Sequence, residues 1–387
     1  MFREPPRGQF KQLPRWERPV SRAIYLDWNA TTPPAPEVLA AMHRAAERSW
    51  GNPSSVHAVG REARRALEDT REALAQLLEL SPRDVVLTGG GTEANNLMLR
   101  SAPGLALSRL EHPSVVRVAE RIETDGRPVV WLPVRPDGQL EVAAIAEHCR
   151  ALPEGSWLSL MAVNHETGVI QPLEAAAEAA RPLGLKLHSD AVQALGKVPL
   201  GPLQVADAIT VAAHKIRGPK GIGALALRAR AGVVPVPRPV LVGGAQERGL
   251  RPGTQDAVAA AGFGAALARL PVFQRGILGV GSLRDALERG IQALATPNGS
   301  APRAPHVTNL HFPAWRGDEL VAALDLAGVQ VSAGSACSAG SLEPSPVLLA
   351  MGRTEAATHS VRFSLGEDTT AADVDEVLRV LRQLLAA

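Results

Sequence analysis

The feature that most constrains this chain is a series of short apolar runs, each stopping at residues able to do chemistry. Asp84–Thr88 (DVVLT) ends at Gly89-Gly90-Gly91, and Trp157–Val163 (WLSLMAV) is followed by Asn164. Leu185–His188 leads into Asp190, and Ala208–Ala213 leads into Lys215. Helical patterns lie between them, among them Thr92–Arg100 and Val59–Leu80, the latter with Ala63, Leu67, Leu74, Leu77 and Leu78 on one face. Short strands alternating with helices predict an α/β chain with a mostly parallel central sheet and helices on both faces. In such sheets ligands collect beyond the carboxyl ends of the strands. One pocket is therefore expected to gather Gly91, Asn164, Asp190 and Lys215.

From about Pro271 the pattern changes. Helical runs (Ser282–Leu294, Gly317–Ala327, Ala371–Ala386) flank short apolar segments (Val307–Phe312, Ser360–Leu365), which predicts a second, smaller α+β domain. The expected division is an N-terminal arm and part of the small domain over 1–30, a large domain over 31–270, and a small C-terminal domain over 271–387. A chain of 387 residues exceeds what one core usually supports.

Composition narrows the function classes. With 41 basic and 39 acidic residues, the arginines scattered among glutamates, there is no basic stripe for nucleic acid. No stretch approaches the roughly 18 consecutive apolar residues of a membrane span. The proline-rich first twenty residues make a poor signal peptide or transit helix and read as a surface arm. Two cysteines exclude a disulfide scaffold and point to a reducing compartment, hence the cytoplasm. No metal-ligand cluster is expected.

Residues Ile209–Gly223 (ITVAAHKIRGPKGIG) deliver a lysine at the end of an apolar strand. Burial disfavours an ammonium and so makes a nucleophilic amine. His214, Arg217 and Lys220 are expected to add positive charge and to suit a phosphate. A Schiff-base lysine beside a phosphate site is what pyridoxal 5'-phosphate (PLP) requires. The glycine turn before Thr92 offers backbone N–H groups and a helix N-terminus to that phosphate. The same turn matches G-x-G-x-x-A, but a dinucleotide would leave Lys215 unexplained. Asp190 is either a partner for a protonated ring nitrogen or a helix N-cap, and Gln193 is positioned to donate to the ring's phenolic oxygen. His112 suits ring stacking and proton transfer. Arg362, set between Val361 and Phe363, needs an anion such as a substrate carboxylate. Cys337 lies among small residues in Ser332–Ser341, a loop setting that suggests use of the thiol. Cys149 reads as an ordinary buried helix residue.

With these positions in line, the chain resembles a cysteine desulfurase of the NifS/IscS type, within the class V aminotransferase family. The resemblance is carried by YLDWNATTP (25–33), GNPSSVH (51–57), GGTEANN (90–96), EHPSV (111–115), VNHETGVIQP (163–172), HSDAVQALGK (188–197), AHKIRGPKGIGAL (213–225), GGAQERGLRPGT (243–254), SAGSACSAGSLEPSPVLLAMG (332–352) and VRFSLG (361–366). It implies a PLP-dependent transferase of fold type I, a homodimer, with the large domain binding PLP and the small one carrying the catalytic cysteine loop. By the same resemblance Lys215 is the Schiff-base lysine, His112 the stacking acid/base and Cys337 the sulfur-accepting nucleophile. Asp190 and Gln193 then hold the ring. Gly91, Thr92 and His214 hold the phosphate, joined by Thr254 of the other subunit, while Asn29, Asn164 and Arg362 bind the substrate.

The chain departs from the family at three points. Ala212 stands where a phosphate-binding serine is usual, and Trp28 and His165 replace a tyrosine and an asparagine near the substrate. It also ends, at Ala387, soon after the family's last core helix, so the extension that docks an iron–sulfur scaffold is not expected. The implied activity converts L-cysteine to L-alanine and parks sulfur as a persulfide on Cys337 for a protein acceptor whose identity the sequence does not give. The alternatives are a selenocysteine lyase or aminotransferase of the same fold, or a non-catalytic PLP-binding sulfur-relay protein.

Overall fold

The computed structural model describes residues 23–300, 302–334 and 343–386. After a short strand β1 (Ile24–Tyr25) come the helices α1 (Pro36–Arg48) and α2 (Ala58–Leu78). Strands and helices then alternate: β2 (Val85–Thr88), α3 (Gly91–Leu99), β3 (Leu105–Leu107), α4 (Pro113–Thr124), β4 (Val129–Trp131), α5 (Ala143–His148), β5 (Trp157–Ser159), α6 (Leu173–Ala180), β6 (Lys186–Asp190), β7 (Ala208–Ala212) and β8 (Gly223–Leu227). Seven of these strands form one sheet in the order β2-β8-β7-β6-β5-β3-β4. Only β8 runs against its neighbours, β2 and β7; the other pairs are parallel. The expected mostly parallel α/β sheet is what the chain forms.

The two-residue period of the strands explains the layers. Val85 and Leu87 of β2, with Ala224 and Ala226 of β8, pack into a core with Leu67 and Leu74 of α2 and Ala176 of α6. The intervening Val86, Leu225 and Leu227 face the other way, onto Leu97 of α3 and Val115, Val118 and Ile122 of α4. Both faces being covered, the strands read as near-continuous apolar runs rather than alternating ones. The strand expected over Trp157–Val163 stops at Ser159. Beyond it the chain turns through Asn164, whose side-chain oxygen accepts from the N–H groups of Glu166 and Thr167.

The remaining elements are α7 (Ala257–Ala268), α8 (Leu270–Gly279), α9 (Gly281–Ile291), β9 (Thr296–Pro297), β10 (Val307–His311), α10 (Gly317–Leu326), β11 (Val329–Gln330), α11 (Pro346–Ala350), β12 (Ser360–Ser364) and α12 (Ala371–Leu385). An antiparallel sheet, β12-β10-β9, forms a separate apolar cluster with α9, α10 and α12. Ile24 and Leu26 join that cluster, because β1 pairs with β11 in parallel register. Arg217 and Arg269 both reach Glu367, bridging the two groups of elements. No single described helix is long and apolar enough to cross a membrane. The pair Ala257–Ala268 and Leu270–Ile291 meets the length and composition only by bending 56° at its break.

Candidate active site

A cavity of about 230 Å³ lies beyond the carboxyl ends of β2, β6 and β7. Its walls include Asn29, Gly91, Thr92, His112, Asp190, Gln193, His214, Lys215 and Arg362. Most of the expected site residues therefore converge on one space. Several arrive by a strand end, since β7 runs through Ala212 into the turn bearing His214 and Lys215 and β6 ends at Asp190 itself, whereas Arg362 sits in the middle of β12.

Lys215 Nζ donates to the backbone carbonyls of Asn29, at 2.5 Å, and Ala30, at 2.8 Å. Asp190 is buried and accepts from Asn95 Nδ2 at 2.8 Å and from the Val192 N–H at 3.0 Å. Among the described residues no lysine, arginine or histidine forms an ion pair with it. A buried carboxylate served only by neutral donors suits a cationic ring nitrogen arriving from outside the chain. The helix expected after Asp190 does not form. The Val192 bond opens a run of turns instead.

His112 caps α4 through Nδ1, which accepts from the Ser114 N–H at 3.1 Å. A backbone N–H can only donate, so in the neutral ring the proton resides on Nε2. Burial lowers the ring's pKa, the Asp190 charge opposes that, and Lys215 adds to it. Ser114 Oγ in turn receives Asn95 Nδ2, so one asparagine ties His112 to Asp190. Asn95 and Ser114 were not singled out from the sequence. Their only signal was membership of GGTEANN and EHPSV.

One wall of the cavity includes Gly91, Thr92, Ala212 and His214. Gly90 has φ +139°, and a Cβ on Gly91 would lie 2.9 Å from Val192 Cγ2, so glycine is required for the close approach of α3 to this wall. The N-terminus of α3 gives an anion backbone donors there. The neighbouring basic residues differ in what they bring to this wall. His214 is pushed down to about 3 by burial, with Lys215, Lys197 and Lys220 adding to it. Arg217 is bound to Glu367 and Asp368, and Lys220 lines a different hollow with Tyr25 and Met42.

Arg362, which also lines the cavity, is buried, with Nη1 3.0 Å from the His165 carbonyl and Nη2 2.7 Å from Asp27 Oδ1. Its Nε has no hydrogen-bond partner among the described residues. Two expected substrate ligands have side chains engaged within the chain. Asn164 does not line the cavity; its amide donates to the Leu110 carbonyl, and its oxygen holds the turn through Glu166 and Thr167. Asn29 does line it, but its side chain is engaged by His165, His306 and Lys197. Its backbone carbonyl is the part that meets Lys215. Of the departures, His165 lines the cavity, with its ring edge-on to His112 at 5.4 Å. Trp28 does not line it and packs against Gly366 and beneath Arg217. Thr254 is exposed, outside this chain's cavity. Cys337 and the N-terminal arm lie outside the described residues. The described flank Ser332 pairs with Arg362, and Ser345 donates to Glu166 at 2.6 Å.

These residues fit PLP: an amine for the aldehyde, a carboxylate for the ring nitrogen and an anion site at a helix N-terminus. The class V aminotransferase family model matches residues 24–377. A cysteine desulfurase of Trichormus azollae is 37% identical over 94% of this chain and 92% of its own length. An IscS-like cysteine desulfurase of Mycobacterium tuberculosis is 37% identical over 92% and 95%. The solved structure of a NifS-like protein superposes with a TM-score of 0.85 at 30% identity, covering 94% of this chain and 99% of that one. The chain belongs to the class V aminotransferase family, among the cysteine desulfurases, and is an enzyme of that type. The family works through PLP.

Proposed function

We propose that this protein converts L-cysteine to L-alanine with PLP bound through Lys215, holding the sulfur as a persulfide on Cys337 for a protein acceptor. One observation carries the reading: the Lys215 amine shares a cavity with a buried Arg362 and with an Asp190 that has no cationic partner among the described residues. When bound, PLP supplies an electron sink that weakens bonds around the substrate's α-carbon.

In this reading Asp190 keeps the ring nitrogen protonated and Gln193 donates to the ring oxygen. Gly91, Thr92 and His214 hold the phosphate, and Arg362 takes the substrate carboxylate. Lys215 and His112, through Nε2, move protons. The Cys337 thiolate attacks the substrate sulfur and the carbon–sulfur bond breaks. Its electron pair stays on carbon, which takes a proton to become the methyl group of alanine. Asn164 braces the turn whose His165 carbonyl holds Arg362.

A homodimer, in which Thr254 completes the partner's phosphate site, suits the exposed Val236, Leu241 and Val242. They lie in a segment that meets Pro252 through Gly243. The large PLP-binding unit spans 31–270 and the smaller unit 271–387. A free, buried Cys149 suits a reducing, cytoplasmic setting.

The test loads the protein with PLP and adds L-cysteine. Alanine should form, and mass spectrometry should find one added sulfur on the Cys337 peptide. The Cys149 peptide should carry none, since burial pushes that thiol up to about 11. Cys337→Ser should bind cofactor and cysteine yet make no alanine. Alanine at the wild-type rate from Cys337→Ser would overturn the reading and favour a lyase.

A further inference from the structure

Next to the cavity lies a buried lysine that the proposed chemistry does not use. Lys197 has no exposed surface, and no carboxylate pairs with it among the described residues. Its Nζ lies 2.6 Å from Gln193 Oε1 and 3.5 Å from Asn29 Oδ1. Burial pushes its pKa well below the usual lysine range, with Lys215 and Arg362 adding to that. Charged or neutral, an amine between two acceptor oxygens donates to them.

That contact, with the Asn29 carbonyl at the other end, decides which end of the Gln193 amide is which. The end facing Lys197 is the carbonyl, so the other end is the NH2 group. Its Nε2 donates one proton to the Asn29 carbonyl at 2.8 Å, and Gln193 lines the cavity. A second amide proton remains. The same Asn29 carbonyl receives Lys215 Nζ at 2.5 Å. A continuous chain therefore runs from Lys197 through Gln193 and the Asn29 carbonyl to Lys215. Asn29 is oriented by the same cluster: His306 Nε2 donates to its Oδ1 at 2.8 Å, and its Nδ2 donates to the His165 carbonyl at 3.2 Å.

We infer that Lys197 is a positioning residue. By occupying the carbonyl end of Gln193 it makes the amide present an N–H, not a carbonyl, to the ring oxygen of the cofactor. This rests on the PLP reading above. Without Lys197 the amide keeps only the Asn29 carbonyl to hold its orientation, and each turn that brings its own carbonyl against the ring's phenolate replaces a charge-assisted hydrogen bond with repulsion. A phenolate without its donor holds the neighbouring Schiff-base proton more tightly, so the pH midpoint of that linkage rises.

The test follows the absorbance of the Lys215–cofactor linkage against pH in the PLP-loaded protein. Lys197→Met should retain the band with its midpoint raised by about 1–2 units. Gln193→Leu should raise it likewise, and the double variant should shift no further than either single one. Lys197→Gln, which restores an N–H donor, should return the midpoint toward wild type. An unchanged midpoint in Lys197→Met, or additive shifts in the double variant, overturns the inference. A wild-type protein that forms no band overturns instead the cofactor reading beneath it. Should Lys197→Met fail to fold, a crystal structure of the loaded wild type decides. Lys197 Nζ within about 3.2 Å of the Gln193 carbonyl, with the amide nitrogen on the ring oxygen, supports the inference. Separation of the two side chains beyond about 4 Å overturns it.

Discussion

Arg362 and Asp27 face each other at 2.7 Å, joining the middle of β12 to the residues after β1 at the edge of the cavity. The residue assigned to the substrate carboxylate thus already holds a carboxylate. A buried guanidinium needs a counter-charge whenever the substrate is absent, and Asp27 provides it.

Competition between those two carboxylates is measurable. Arg362→Ala should raise the KM for cysteine at least tenfold while the lysine–cofactor band persists. Asp27→Asn should lower that KM, because the guanidinium is released to the substrate. It should also lower the unfolding free energy of the cofactor-free protein by about 2 kcal/mol, since a buried charge loses its partner and the Asp27 side chain keeps some exposure. A raised KM in Asp27→Asn would show that the ion pair orients Arg362 rather than competing for it.

Ala212 ends β7 on the cavity wall beside Gly91 and His214 and carries no donor. Ala212→Ser should tighten PLP binding by roughly 1–2 kcal/mol, about a tenfold fall in Kd. Equilibrium dialysis of the two proteins is the check, and equal affinities would mean that another donor already serves that oxygen.

Two buried groups should tilt the stability of the cofactor-free protein in opposite directions with pH. Burial pushes the Glu111 carboxyl up to about 8; the Met161 N–H opposes this and the Asp190 charge adds to it. An acid with a raised folded pKa binds more protons folded than unfolded. Its unfavourable contribution therefore begins near 4.5 and grows until the pH passes about 8. Glu111→Gln should gain on the wild type by a few kcal/mol, on the order of that shift, between pH 5 and pH 8. His188, between Ser159 and Thr210, is lowered by burial to about 4, partly offset by Asp190. Its neutral form is stable above 6.5, and that contribution is lost as the pH falls through about 4. His188→Asn should therefore show a shallower acid loss than the wild type, by about 2–3 kcal/mol. Denaturant titrations across the pH range check both, and parallel curves for variant and wild type would refute the assignment.

Gly366 approaches Trp28 so closely that a Cβ would fall 1.6 Å from the indole Cε2. Its backbone needs no glycine on conformational grounds, so the requirement is steric. Gly366→Ala should lower the unfolding free energy by about 3 kcal/mol or more, an overpacking penalty that Trp28→Leu should relieve in the double variant. A neutral Gly366→Ala variant would place the indole elsewhere.

What the sequence determined by itself was the order of strands and helices and the chemistry at their ends. Apolar period and glycine turns are local, so β2, β6, β7 and α12 appear within a residue or two of where their patterns predict. The motif order also carried the resemblance, and with it Lys215, His112 and Asp190. What only the tertiary structure decided was which atoms face one another. Asn164 lies after a strand end like the rest, yet its side chain turns back to satisfy a buried turn, because orphaned backbone N–H groups must find an acceptor. Asn29 meets Lys215 with its backbone, a distinction no residue letter records. Arg217 is taken by Glu367, 150 residues away. Lys197 looks like any lysine in ALGKVPL until folding seals it against Gln193 and Asn29. Hydrogen bonding and burial between distant segments depend on where the chain returns, and that is settled only when the sheets and helices pack.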